Sequence, residues 1–133
     1  MSEEEQEEQK QWEMFYPKYT WNNVWEEYDQ PKLELYQHWS NAILTHKELP
    51  PKVREFIFVA IDSVVAWPEP YIDGHIHSAF DNGATIQELV ETIETAGYVM
   101  GVHAFNHGFT SLERVVARRK AAGSPTPRDA SDV

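Results

Sequence analysis

Apolar residues recur along this chain at the three- and four-residue intervals of amphipathic helices, and no useful stretch alternates with the two-residue period of a strand. The spacing predicts helices over about 31–46, 50–66 and 71–82. It predicts two more, one that opens at Thr85 and a last one over about 102–122. The predicted fold class is therefore all-α, a single-domain bundle of five to six helices.

Capping and helix-breaking residues mark the ends of these predicted helices. Asp29 stands where it would cap the helix over 31–46. Two prolines, Pro68 and Pro70, prevent the next helix from continuing, because proline lacks a backbone donor and its ring clashes with the preceding turn. Gly83 supplies a left-handed cap, and the Thr-Ile-Gln-Glu sequence at 85–88 predicts a capping box.

The helix predicted over 50–66 is apolar on almost every side, which favours a central position in the fold. It nevertheless carries two acids, Glu55 and Asp62, which share one face because they are seven residues apart. A buried carboxylate is costly unless it is paired or neutralised. Either acid could pair with Lys52, Arg54 or another surface cation, so their role stays open at this point.

Composition divides the chain into three predicted segments. Residues 1–18 form an acidic N-terminal arm or helix, since the first 13 residues contain six Glu. Residues 19–120 form the helical domain. Residues 121–133 are rich in Gly, Ser and Pro, which predicts a disordered C-terminal tail.

Charge and cysteine content exclude several classes of function. The formal net charge of −11 argues against nucleic acid as a partner, because that binding depends on Lys and Arg at the phosphates. There are no cysteines, so disulfides and thiolate chemistry are excluded. No apolar run approaches the roughly 20 residues that span a bilayer, and we expect a cytoplasmic protein without membrane contact. The basic cluster at the end of the last helix, which we expect to complement the helix dipole, comprises Arg114, Arg118, Arg119 and Lys120.

Titratable side chains are concentrated in residues 71–77, inside an otherwise apolar region. His75 lies one helical turn after Tyr71, beside the apolar stripe of its helix. On the other flank, His77 follows Asp73 by four residues, which predicts an exposed pair between these two side chains. His75 is therefore the candidate centre of a functional pocket.

Three blocks of sequence resemble the carboxymuconolactone decarboxylase-like family, also called AhpD-like after its alkylhydroperoxidase branch. They are Leu-Pro-Pro-Lys-Val-Arg-Glu-Phe-Ile at 49–57, His-Ile-His-Ser-Ala-Phe-Asp-Asn-Gly-Ala-Thr at 75–85, and Gly-Val-His-Ala at 101–104. The resemblance covers roughly residues 31–117. It implies an all-helical homo-oligomer, a homotrimer or homohexamer, with active sites near the subunit contacts.

The resemblance also assigns positions to the family's active-site residues. It places the family's histidine at His75 and its glutamate at Glu55, although the separation of these two is one residue longer than in the peroxidase branch. That branch has a Cys-x-x-Cys pair where this chain has Pro68 and Tyr71, so thiol peroxidase chemistry is excluded. His103 replaces a family proline and brings a second imidazole towards the pocket.

The decarboxylase branch works without a metal or organic cofactor, and the resemblance therefore implies a cofactor-independent carboxy-lyase for a small carboxylic acid or lactone. We predict that His75 is the general acid–base, because its pKa ordinarily lies near neutrality. Glu55 would orient this imidazole, and Tyr71 would donate to a developing oxyanion. The predicted substrate-binding residues are His103 and His107, which would hold a carboxylate, and Trp67, which would wall the pocket.

Three alternatives remain open from the sequence. The same acid–base chemistry also serves enol–keto isomerisation or a related lyase step. A metal enzyme is a second alternative, since His103 and His107, with His75 or His77 and one acid, offer enough ligands for zinc. A non-catalytic assembly or binding module is the third, and its functional surface would be the acidic arm with Trp12, Trp21 and Trp25.

Overall fold

A computed structural model of the chain describes Ser2, Glu3, 20–45 and 48–132, without the side chains of residues 20 and 21. The predicted acidic arm therefore lies almost wholly outside the described residues. The chain divides into two compact units, 1–49 and 50–133, and the predicted helical domain over 19–120 stays a prediction. All regular structure in the described residues is helical, which confirms the all-α prediction.

The first unit contains α1 (Thr20–Tyr28) and α2 (Gln30–Leu44). Asp29 caps α2 as predicted, because its carboxylate accepts a hydrogen bond from the Lys32 amide at 3.4 Å. Helical spacing in this segment predicts a buried stripe of Leu35, Trp39, Ala42 and Ile43. That prediction is wrong, since Leu35 and Trp39 are 69% and 62% exposed, whereas Leu33 is buried. Within the described part of this unit, α1 packs against α2.

The second unit is a bundle of α3 (Pro51–Val65), α4 (Glu69–Asp81), α5 (Ile86–Met100) and α6 (His103–Ala121). As predicted, α3 is central, because it packs against all three of the other helices. One side of α3 stays open nonetheless, with Ile61 53% exposed. The fully buried apolar side chains that join the four helices include Val59, Ile72, Ile76, Leu89, Ile93 and Val115.

Local sequence explains where α4 and α5 begin and end. α4 starts two residues earlier than predicted, at Glu69, because Pro70 is tolerated in a first turn, where no amide donor is needed. Gly83 follows the helix with a φ of 91°, which confirms the predicted left-handed position. The predicted capping box is also confirmed: the Thr85 hydroxyl accepts from the Glu88 amide at 3.1 Å, and the Glu88 carboxylate accepts from the Thr85 amide at 3.0 Å.

The arginines of α6 bind acids on α4 instead of serving only the helix dipole. Arg114 makes a two-pronged contact with the buried carboxylate of Asp73, at 2.7 and 2.8 Å, and Arg118 adds a third contact at 3.2 Å. The predicted Asp73–His77 pair is therefore wrong. Asp73 faces α6, and an arginine fork matches a carboxylate better than an imidazole does.

His77 belongs to a second buried group. Arg119, only 1% exposed, donates to His77 Nδ1 at 2.6 Å and to Asp81 Oδ1 at 2.9 Å. Burial lowers the pKa of His77, Arg119 lowers it further, and Asp81 opposes both. His77 is thus a neutral structural residue between α4 and α6.

The segment after α6 follows a defined course, unlike the disordered tail that its composition predicts. Arg119 donates to the Pro125 carbonyl at 3.1 and 3.0 Å. Further along, the Pro127 and Arg128 carbonyls accept from the first amides of α5, at 2.8 and 2.9 Å. A short 3-10 turn, Ala130–Asp132, follows. These bonds supply acceptors to helix-terminal donors that have no partner within α5.

No helix in the described residues has the length and apolar character needed to cross a membrane.

Candidate functional site

Two of the three residues predicted to carry catalysis, His75 and Glu55, meet across the interface between α4 and α3. His75 Nδ1 lies 3.0 Å from Glu55 Oε2. A carboxylate can only accept, so Nδ1 carries the proton in this pair and Nε2 is the nitrogen left for further chemistry. The two side chains are largely enclosed, 30% exposed for His75 and 16% for Glu55. The imidazole is therefore oriented by a carboxylate while it remains within reach of solvent.

An aromatic ring holds the imidazole from one face. Phe58, on the turn of α3 that follows Glu55, stacks on His75 with ring centroids 4.5 Å apart and planes 29° apart. Stacking and the Glu55 hydrogen bond act in different directions, so together they limit rotation of the ring. The edge of the ring that bears Nε2 points towards another residue of α3.

That residue is Asp62, whose Oδ2 lies 3.8 Å from His75 Nε2. Asp62 is buried, and its Oδ2 accepts no hydrogen bond from the part of the chain that the structure describes. Burial raises the pKa of Asp62, and Glu55 raises it too, while His75 and His107 oppose the shift. The sequence expectation that a surface cation pairs with Asp62 is wrong, because the groups around this carboxyl are those of the site. The seven-residue spacing from Glu55 is the signal that placed both acids on one face.

Tyr71 and Trp67 lie next to each other at the turn between α3 and α4. Their rings are 5.6 Å apart at an angle of 55°. Tyr71 is half-buried and precedes His75 by one turn of α4, whereas Trp67 is 47% exposed. This arrangement gives Trp67 an exposed ring beside the site, and the predicted roles of both residues stay predictions.

His103 and His107, the predicted carboxylate-binding pair, contact the end of α3. His103 Nε2 donates to the Val64 carbonyl at 3.0 Å, and His107 Nε2 donates to the Trp67 carbonyl at 2.6 Å. These bonds satisfy carbonyls at the end of the helix, where partners inside the helix run out. Each imidazole therefore has only Nδ1 left for a substrate, and their predicted substrate-binding role stays a prediction.

The histidines do not gather as the metal-binding alternative requires. Within the described ranges, no group of three or more His, Asp or Glu side chains has the arrangement of a metal site. His77, one of the proposed ligands, faces Arg119 and Asp81. An arginine beside an imidazole opposes a cation on that ring.

An apolar groove lies elsewhere on this unit, between α3 and α5. Its lining includes Ile57, Ile61 and Val65 from α3, and Val99 and Met100 from α5. His75 and Glu55 are not part of it. The groove is thus a different feature from the acid–base group.

Chemically, the group at His75 can accept and donate a proton at one nitrogen. Glu55 stabilises the imidazolium from the Nδ1 side, and an oriented imidazole of this kind acts as a general acid or base near neutral pH. The enclosing helices reduce the local dielectric and strengthen these interactions. The arrangement can therefore transfer a proton to or from a bound molecule.

Comparison with known proteins identifies a family and a shared fold. Residues 32–114 match the sequence profile described as the Carboxymuconolactone decarboxylase family, which is more than half of the 133-residue chain. The chain is also similar to a crystal structure from Burkholderia xenovorans LB400, a protein provisionally named a carboxymuconolactone decarboxylase. The TM-score is 0.70 at 23% identity, over 87% of this chain and 92% of that chain, which shows a shared fold. No curated protein matches significantly.

Proposed function

This chain belongs to the carboxymuconolactone decarboxylase family, and we propose that it is a cofactor-independent carboxy-lyase for a small carboxylic acid or lactone. The observation that carries the proposal is the imidazole of His75, oriented by Glu55 at 3.0 Å and flanked by Asp62 at 3.8 Å. An acid–base residue held in this way is what the loss of carbon dioxide from an activated carboxylate requires.

In the proposed reaction, the carbon–carbon bond to the carboxylate breaks and its electron pair stays on the substrate as an enolate-like anion. His75 Nε2 then delivers a proton to that carbon, while Glu55 stabilises the imidazolium before the transfer. Tyr71 would donate to the oxygen on which the negative charge accumulates. Trp67 would cover the apolar part of the substrate, and His103 and His107, when protonated on Nδ1 as well as Nε2, would donate to its remaining carboxylate.

Labelled solvent tests this reaction directly. The protein is incubated in D₂O with a panel of lactone carboxylic acids and β-keto acids, and released carbon dioxide and deuterium in the product are both measured. We expect one carbon dioxide and one new carbon–deuterium bond for each turnover. Deuterium incorporation without carbon dioxide release would indicate an isomerase instead of a lyase. The absence of both signals with every acid of the panel would contradict an enzymatic role on these substrates.

The proposal includes assembly into a homotrimer or homohexamer. The exposed apolar side chains along the α3–α5 groove support it, because a contiguous apolar surface of this kind is characteristic of contact sites. Analytical ultracentrifugation of wild type and Ile61→Lys tests it, with Thr110→Lys, at an exposed position of α6, as the control. We expect Ile61→Lys to dissociate the assembly, and a monomeric wild type would contradict this part of the proposal.

A further inference from the structure

Asp62 is buried in the bundle without the partner that a carboxylate needs. Its Oδ2 is inaccessible and accepts no hydrogen bond from the described residues. A buried carboxylate without a hydrogen-bond donor is unfavourable in its charged form, and burial therefore favours the form that has bound a proton. The environment of Asp62 therefore favours the neutral acid, which has a proton to give.

The nearest base to that proton is His75. Its Nδ1–H is already committed to Glu55 at 3.0 Å, and its Nε2 lies 3.8 Å from Asp62 Oδ2. The imidazole thus sits between two carboxyls of one helix, separated by two turns. One of them is in direct contact with the ring, and the other lies just beyond hydrogen-bond distance.

We propose that Asp62 is a positioning residue that shares one exchangeable proton with His75, between Asp62 Oδ2 and His75 Nε2. Within the proposed lyase, on which this part rests, Asp62 gives a new proton to the His75 imidazole after each turnover. Asp62 does not touch the substrate, and it acts only through His75.

Each proton that the proposed turnover consumes has a defined source. In the resting site, Asp62 is a neutral acid, His75 is neutral with its proton on Nδ1, and Glu55 is ionised. Transfer from Asp62 to Nε2 produces an imidazolium between two carboxylates. When the substrate loses carbon dioxide, its carbanion takes the Nε2 proton, the imidazole becomes neutral, and Asp62, whose side chain is 11% exposed, takes a proton from water. The net reaction consumes one carboxylate and one proton and yields carbon dioxide and a carbon–hydrogen bond.

The geometry suits a shared proton better than a fixed hydrogen bond. At 3.8 Å, a small rotation of the Asp62 side chain closes the contact with His75 Nε2, and the reverse rotation leaves Nε2 to a substrate. The charged groups that act on Asp62 come from three elements: Glu55 from its own helix, His75 from α4 and His107 from α6. His107 is anchored at the Trp67 carbonyl and His75 at Glu55, so the movable group is the Asp62 carboxyl, whose Oδ2 accepts no hydrogen bond from the described residues.

A carboxyl titration of the full-length protein tests the shared proton without any substrate. The side-chain carbons of aspartate are labelled with ¹³C, and Asp62→Asn identifies the Asp62 signal. Burial raises the pKa of Asp62 and the His75 charge opposes that rise. We therefore expect the Asp62 signal to titrate above the exposed Asp132, and higher still in His75→Gln, whereas His38→Gln leaves it unchanged. An Asp62 signal that titrates with Asp132, or that ignores His75→Gln, would overturn the proposal.

Kinetics test the resupply step separately. With an acid that wild type decarboxylates, we expect Asp62→Asn to lower kcat about 10-fold or more while KM stays within about 2-fold, and to change the pH dependence of kcat. Asp62→Glu restores a carboxyl and should recover part of kcat. An unchanged kcat in Asp62→Asn would overturn the resupply role. A wild type without turnover would refute the proposed lyase, and the titration would still decide the shared proton.

Discussion

His75 Nδ1 lies 3.0 Å from Glu55 Oε2, although the two residues are 20 positions apart and belong to different helices. Their contact joins α3 to α4 at the point where the two helices also meet through Phe58. The hydrogen bond determines which imidazole nitrogen carries the resting proton, and it leaves Nε2 for chemistry. The roles proposed for His75 and Glu55 depend on this orientation of the imidazole.

Replacing Glu55 with Gln should reduce turnover more than it reduces binding. Glutamine keeps the size of the side chain but cannot stabilise the imidazolium, so we expect kcat to fall about 100-fold with little change in KM. The matched control is Glu113→Gln, at an exposed position of α6. Steady-state kinetics that show equal losses in both variants would disprove a specific role for Glu55.

Asp73 should be a major determinant of stability. Replacing it with Asn removes the buried negative charge that Arg114 and Arg118 share at 2.7–3.2 Å, and it leaves the two arginines only the exposed carboxylate of Glu69. We expect a loss of about 3 kcal/mol in the free energy of unfolding, measured by urea denaturation. Glu94→Gln, at an exposed position of α5, should change this quantity by less than about 0.5 kcal/mol. Equal losses in the two variants would refute the role of Asp73.

His77 should make the fold sensitive to mild acid. Its pKa in the folded protein is lowered from the ordinary value of 6.5, so below that value the unfolded chain binds a proton that the folded chain does not. The free energy of unfolding should therefore fall as the pH drops below 6.5 towards the folded-state pKa. His77→Gln, which can still accept from Arg119, should remove this part of the slope in urea titrations.

The control for this pH dependence is His38→Gln, since His38 is exposed in the first unit. It should retain the wild-type slope. If His77→Gln keeps the same slope as well, the histidine does not stay neutral in the fold, and the description of the Arg119 group is wrong.

Gly108 should tolerate no side chain, because α6 approaches α3 and α5 closely there. A Cβ at this position would lie 2.6 Å from the Ser63 hydroxyl and 2.7 Å from a methyl of Ile93. We expect Gly108→Ala to cost about 1–3 kcal/mol in thermal or urea unfolding. Asn106→Ala, exposed on the same helix, should be close to neutral, and comparable stability of both variants would contradict the packing described.

Periodicity and capping residues were sufficient to predict the helices of the second unit, because the information for each is local. The capping box at Thr85 and the left-handed Gly83 were both predicted, since each depends on a few adjacent residues. The buried stripe predicted for α2 was wrong, because helical spacing identifies an apolar face but does not show whether another element covers it. Leu35 and Trp39 are apolar at the predicted interval and still exposed.

Long-range contacts explain the remaining errors. Asp73 and His77 are correctly spaced for a local pair, yet the competing arginines stand 41 and 42 residues further along the chain. The same limitation applies to Asp62, because its spacing from Glu55 predicts a shared face but does not show that His75 lies opposite that face. The family resemblance predicts the His75–Glu55 pair, whereas the approach of Asp62 to His75 follows only from the packing of the helices.

The rate of carbon dioxide release by His75→Gln, relative to wild type, tests the central claim most directly. Both proteins are assayed with the same carboxylic acid, with His38→Gln as the control and circular dichroism to verify folding. We predict that kcat falls by about 100-fold to 10,000-fold in His75→Gln and stays at the wild-type value in His38→Gln. A folded His75→Gln protein that releases carbon dioxide at the wild-type rate would contradict the assignment of His75 as the general acid–base.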